Sequence, residues 1–83
     1  MSGTTLGNNY SNEGSLSGSP VVITFPWKAR KAVITNDSTV NNITVTIQGQ
    51  IITLLPKETA AIQMFLAAVT LNGTATYRVW AFG

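Results

Sequence analysis

Three carboxylates, Glu13, Asp37 and Glu58, and five cations, Lys28, Arg30, Lys31, Lys57 and Arg78, are all the charged side chains of this 83-residue chain, which has no histidine and no cysteine. Nucleophilic pairs of the Ser-His or Cys-His kind are therefore impossible, and so are the usual zinc and copper ligand sets. Paired carboxylates could still carry acid and base chemistry. Glu13, however, stands in a Gly/Ser/Asn-rich stretch, Asp37 in an Asn-Asp-Ser turn and Glu58 beside Pro56, where solvated turn residues are the simpler reading. A glycine-rich phosphate loop and a Walker-type lysine are both missing. The sequence thus predicts no enzyme: no catalytic, cofactor-binding or metal-binding residue can be named.

Binding chemistry has more to work with. Trp27-Lys28-Ala29-Arg30-Lys31 gathers three of the five cations beside an aromatic ring. Lys28, Arg30 and Lys31 could meet an acidic protein surface, or phosphates with Trp27 stacking on a base. The plainer alternative is a solvated loop whose Trp27 caps one end of the core. A net charge of +2 without a clustered patch argues against a nucleic-acid partner. Trp27, Tyr77, Trp80 and Phe82 could form a stacking platform for sugars, but such sites need neighbouring polar partners and the last strand offers only Arg78. Core or subunit interface is the simpler reading of these aromatics. The threonines show no fixed period and read as β-formers of modest polarity.

The elements that must position these residues are read best from the closing stretch Thr76-Tyr-Arg-Val-Trp-Ala-Phe-Gly83. As a strand it alternates Tyr77, Val79 and Ala81 with Arg78, Trp80 and Phe82. Two largely apolar faces place it centrally in a sheet, or beneath another chain. Composition points the same way. A chain with 45% apolar and 10% charged residues is dry for a small monomer. A domain this small, without disulfides or metal, gains most from oligomerisation. No apolar run approaches the ~20 residues of a membrane helix, and the N-terminus has no secretory signal pattern, so neither a membrane partner nor secretion is expected and the chain should be made in the cytoplasm.

Residues 1–20 are Gly, Ser, Asn and Thr with few large apolar groups, and read as an extended arm whose Leu6, Tyr10 and Leu16 could anchor on a neighbouring chain. From residue 21 to 83 the chain reads as one β-sandwich domain. Val21 to Phe25 is a strand stopped by Pro26, followed by Lys31 to Asn36. Ile43-Thr-Val-Thr-Ile47 alternates cleanly and should pair through Gln48-Gly49 with Ile51 to Leu55. Thr59 to Phe65 suits a strand or a short helix, with the strand preferred. Ala67 to Leu71, Asn72-Gly73 and Thr76 to Phe82 read as a final hairpin. The expected fold is all-β: a small antiparallel β-sandwich or barrel of about seven short strands.

The segments Lys31-Ala-Val-Ile-Thr-Asn-Asp-Ser, Ile43-Thr-Val-Thr-Ile-Gln-Gly, Ile52-Thr-Leu-Leu-Pro-Lys-Glu-Thr and the closing Tyr-Arg-Val-Trp-Ala-Phe-Gly resemble the small all-β structural proteins of tailed bacteriophages. That resemblance implies a virion structural protein: a capsid decoration or cementing subunit, often trimeric. It would associate through Trp27, Arg78, Trp80 and Phe82 and dock on the major capsid protein through the arm. The alternative is a carbohydrate- or receptor-binding module of a phage fibre or pilus.

Overall fold

The computed structural model describes residues 9–83. It contains eight strands: β1 (Asn9–Ser15), β2 (Val21–Ala29), β3 (Lys31–Asn36), β4 (Ile43–Ile47), β5 (Gln50–Leu54), β6 (Thr59–Ile62), β7 (Leu66–Gly73) and β8 (Thr76–Phe82). They form two four-stranded antiparallel sheets, β1-β8-β3-β6 and β2-β7-β4-β5. Each connection except the β4–β5 hairpin crosses from one sheet to the other. This order is that of an eight-stranded jelly roll, and the expected all-β sandwich is what the chain forms.

Alternation of side chains builds the core. Ala32 and Ile34 of β3, Ile43, Val45 and Ile47 of β4, Leu71 of β7, and Tyr77, Val79 and Ala81 of β8 all point between the sheets and are buried. Their β-branched and apolar side chains fit a pleated inner face. The Gln48-Gly49 turn has left-handed backbone at both positions, φ 49° and 81°, as a two-residue hairpin requires. Thr59–Ile62 is the strand that the sequence favours there.

Three expectations are corrected. The sandwich takes in residues 9–15 of the expected arm, because β1 pairs along its whole length with β8, from Asn9 opposite Phe82 to Ser15 opposite Thr76. Much of the expected arm is thus an edge strand, and there are eight strands where about seven were expected. Secondly, β2 does not stop at Pro26. It bulges there: four residues lie between Thr24 and Ala29, whose partners on β7 are Ala68 and Leu66, so the missing N–H of proline costs no ladder bond.

Thirdly, β7 and β8 do not make a hairpin, since they lie in opposite sheets. Gly73 ends β7 at φ 142°, and a Cβ built on it would stand 2.7 Å from the carbonyl oxygen of Asn42. The glycine is there for close approach of two backbones, not for a turn. Asn36 ends β3 and opens the turn, as the sequence reads, and it does so fully buried. Its Nδ2 donates to the carbonyls of Asn41 (2.8 Å), Leu54 (3.1 Å) and Leu55 (3.2 Å), while its Oδ1 accepts from Ser38 N–H (2.9 Å). One amide thereby holds the end of β3 against the start of β4 and the end of β5 in the other sheet.

Two stability measurements follow. Asn36→Ala removes four side-chain hydrogen bonds at the buried end of β3, which costs about 2 kcal/mol and lowers the melting temperature by on the order of 10 °C; thermal unfolding by circular dichroism reads it, and an unchanged midpoint contradicts the role given to this side chain. Gly73→Ala should destabilise more than Gly49→Ala in urea titrations. Both lose glycine's freedom at positive φ, about 1 kcal/mol, but only at 73 does the new Cβ meet backbone.

Candidate interaction surface around Trp80

Strand β8 is central, flanked by β1 and β3, and its second face is nevertheless open. Trp80 is 56% exposed. The register sets Ser11 and Val33 on either side of it, Asn9 and Lys31 beside Phe82, and Glu13 and Thr35 beside Arg78. Ala61 of β6 lies next to Val33 on the same face. The indole and the Phe82 ring are tilted 56° to each other with centroids 6.2 Å apart. The result is an apolar centre of Trp80, Phe82, Val33 and Ala61 with charged and hydroxyl groups around it.

That rim is fixed on one side by a two-point ion pair. Arg78 Nε donates to Asp37 Oδ2 at 2.8 Å and its terminal nitrogen to Asp37 Oδ1 at 3.1 Å. The loop carrying Asp37 is held in turn by its N–H on Thr76 O, 2.9 Å away. The hydrogen bond that Arg78 donates to Asp37, then the charge of Asp37, and more weakly that of Glu13, keep the Arg78 proton bound even more firmly than usual. Being exposed, the pair adds little to stability, and its effect is to orient the guanidinium. Shallow hollows of about 180 Å³ and 430 Å³ lie on either side of Trp80, the first towards Asn9 and Phe82, the second towards Ser11, Glu13 and Arg78.

The sequence-predicted contacts divide. Arg78, Trp80 and Phe82 come together on this face. Trp27 does not join them: it packs half-buried against the core at the β2 bulge, the capping role weighed for it above. Tyr10 and Leu16, expected as anchors on a neighbour, are used within the chain. Leu16 is buried in the core, and Tyr10 meets Phe25 edge-on at 5.8 Å beside Asn12, which also accepts the Tyr77 hydroxyl at 3.0 Å. Leu6 lies outside the described residues.

The basic cluster is split between the two sheets. Lys28 Nζ sits 5.6 Å from the Phe65 ring, and Arg30 borders a hollow with Gln63, Met64 and Phe65. Lys31 lies on the opposite sheet beside Phe82. Sequence reading missed Glu13, Asp37 and Ser11 as neighbours of Trp80, because only strand pairing brings residues 11–13 and 37 to positions 78–80. Among the described residues, no three His, Cys, Asp or Glu side chains converge as a metal site, and no helix is long and apolar enough to cross a membrane.

No protein-family description and no curated protein matches this sequence. Among solved structures, the fold is similar to that of a Salmonella typhimurium protein provisionally assigned as ethanolamine utilization protein Q, with a TM-score of 0.60 over 89% of this chain at 6% identity. The chain spans 57% of the length of that protein. At such low identity the likeness carries the β fold. It also corrects the functional expectation: the structural likeness is to a metabolic protein and not to a phage protein, so the virion reading, with its capsid or fibre setting, is set aside.

Proposed function

We propose that this chain is a non-catalytic jelly-roll subunit that works by associating with further copies of itself, with the outer face around Trp80 as a contact surface. The observation that carries the reading is the exposed Trp80 at the centre of a sheet face, on a strand whose other side is fully packed. A large aromatic surrounded by smaller apolar groups and a polar rim is the usual anatomy of an interface centre. The rim is self-complementary in charge: Glu13 on β1 and Lys31 on β3 lie at opposite corners of the Trp80 row, so two such faces crossing about Trp80 bring each carboxylate near an ammonium. Scarce charge over the whole chain supports a molecule that keeps part of its surface covered.

The test is mass in solution. Light scattering across a concentration series should show assemblies larger than 8.8 kDa, and Trp80→Ala should shift the midpoint of assembly to concentrations roughly thirtyfold higher, as for loss of about 2 kcal/mol at an interface centre. The side chain is exposed, so at concentrations below assembly the variant should keep the wild-type melting temperature. Identical mass curves for the two proteins would remove this face from the assembly.

A further inference from the structure

Each sheet of an open sandwich has two edges, and an edge strand presents a row of unpaired N–H and C=O groups that folded proteins normally guard. Three of the four edges here carry a guard. Strand β2 holds Pro26, Lys28 and a bulge. Strand β6 is four residues long and follows Lys57 and Glu58. Strand β1 is polar and bears Glu13. Strand β5, Gln50-Ile-Ile-Thr-Leu54, has no charge, no proline and no bulge. It also exposes isoleucine on both faces, Ile51 at 68% and Ile52 at 38%.

The direction of its free groups follows from the hairpin. In a two-residue hairpin the residues flanking the turn form a hydrogen-bonded pair, and pairs alternate from there. Gln50, Ile52 and Leu54 therefore spend their backbone groups on β4, and Ile51 and Thr53 turn theirs outward. The next outward residue, Leu55, is already satisfied: its N–H donates to Glu58 Oε1 at 2.9 Å and its carbonyl accepts from Glu58 N–H at 3.0 Å. Among the described residues nothing accepts from or donates to the outward groups of Ile51 and Thr53. Behind Ile52, a hollow of about 420 Å³ opens between the β5 and β6 edges, lined by Ile47, Ile62 and Met64 with Gln48 and Gln50.

We propose that β5 pairs antiparallel with β5 of a second copy, with a two-fold axis at Ile52. This extends the self-association reading but uses a surface separate from Trp80. The register is fixed by the free groups. Ile51 of each copy faces Thr53 of the other as hydrogen-bonded pairs, giving four new backbone bonds, and the two Ile52 side chains meet between them in a non-hydrogen-bonded pair. No charge lies on the strand, so nothing repels when it meets itself. The occupant is a copy rather than a charged partner for the same reason. Taking roughly 100 Å² from each of Ile51, Ile52, Leu55 and Met64, plus the backbone strip, two copies bury on the order of 1,000 Å², the lower limit of a specific association. Joining two four-stranded sheets makes one of eight.

Cysteine placement tests both the pairing and its register, since the natural chain has none and any disulfide must join two molecules. In the proposed register, the residues at 52 stand about 4.5 Å apart at Cα and those at 51 roughly 8 Å apart, within and beyond disulfide reach respectively. Under mild oxidation, Ile52→Cys should convert the 8.8-kDa chain to a covalent dimer faster than Ile51→Cys, although position 51 is the more exposed. Equal or faster cross-linking at 51 reports random encounter and overturns the proposal. So does an Ile52→Cys variant that folds yet keeps its thiol reduced, which leaves the edge to a different partner. The cross-link at 52 should persist in a Trp80→Ala background. Its loss there assigns the contact to the Trp80 face and overturns the pairing, whereas its persistence with unaltered assembly in Trp80→Ala alone removes that face and leaves β5 as the interface.

Discussion

The fold depends on a single buried amide. Strands β3 and β5 belong to different sheets, and between them run the crossover into β4 and the turn after β5, segments that no ladder joins to the end of β3. Asn36 resolves this by donating to three carbonyls and accepting one N–H. Among the described residues it is the buried polar one in an otherwise apolar interior. Unlike a carboxylate or an ammonium it carries no charge to desolvate, so its burial is compensated by hydrogen bonds alone. A packed hydrophobic interior could be satisfied by many arrangements of small strands; this set of bonds is met when the ends of β3, β4 and β5 lie together.

With the interior so fully apolar, the residues that could do chemistry are left on the periphery. Arg78, Asp37 and Glu13 gather on one sheet face, Lys28 and Arg30 at the far end near Phe65, and the β5 edge carries none. The molecule is therefore divided into an aromatic face with a charged rim and an uncharged strip of backbone. These two surfaces recognise partners by different means, one by side-chain shape and charge, the other by main-chain hydrogen bonds.

How much of this was legible in the residues depends on range. The Ile43–Ile47 strand and its hairpin were readable because alternation and turn chemistry are both local, and the alternation along β8 correctly separated Tyr77, Val79 and Ala81 from Trp80 and Phe82. Strand β1 was hidden by composition: its inward positions are Tyr10, Asn12 and Gly14, of which only the first looks apolar, and Gly14 sits where a Cβ would come within 3.1 Å of the Tyr77 hydroxyl. The Asn72-Gly73 pair misled because the glycine that suits a turn equally suits a crowded crossing. Beyond Arg78 and Phe82, which share its strand, the side chains flanking Trp80 were out of reach, since Ser11, Glu13, Val33 and Asp37 come to it only through pairing with distant parts of the chain.

The pairing of β1 with β8 has a consequence for how the molecule comes into being. The two strands are at opposite ends of the described chain, and β2 likewise waits for β7. Only β4 and β5 can form a ladder from near neighbours. A topology so dominated by distant partners folds slowly, because loop closure must precede most of the stabilising contacts. During synthesis, the β4–β5 hairpin can form early, but β1 has no partner until the last residues of β8 emerge from the ribosome. Until then the strand with the weakest edge protection is ordered by its hairpin and open along its outer side, so nascent chains crowded on one message are where β5 strands could first meet, before the rest of either sandwich has closed.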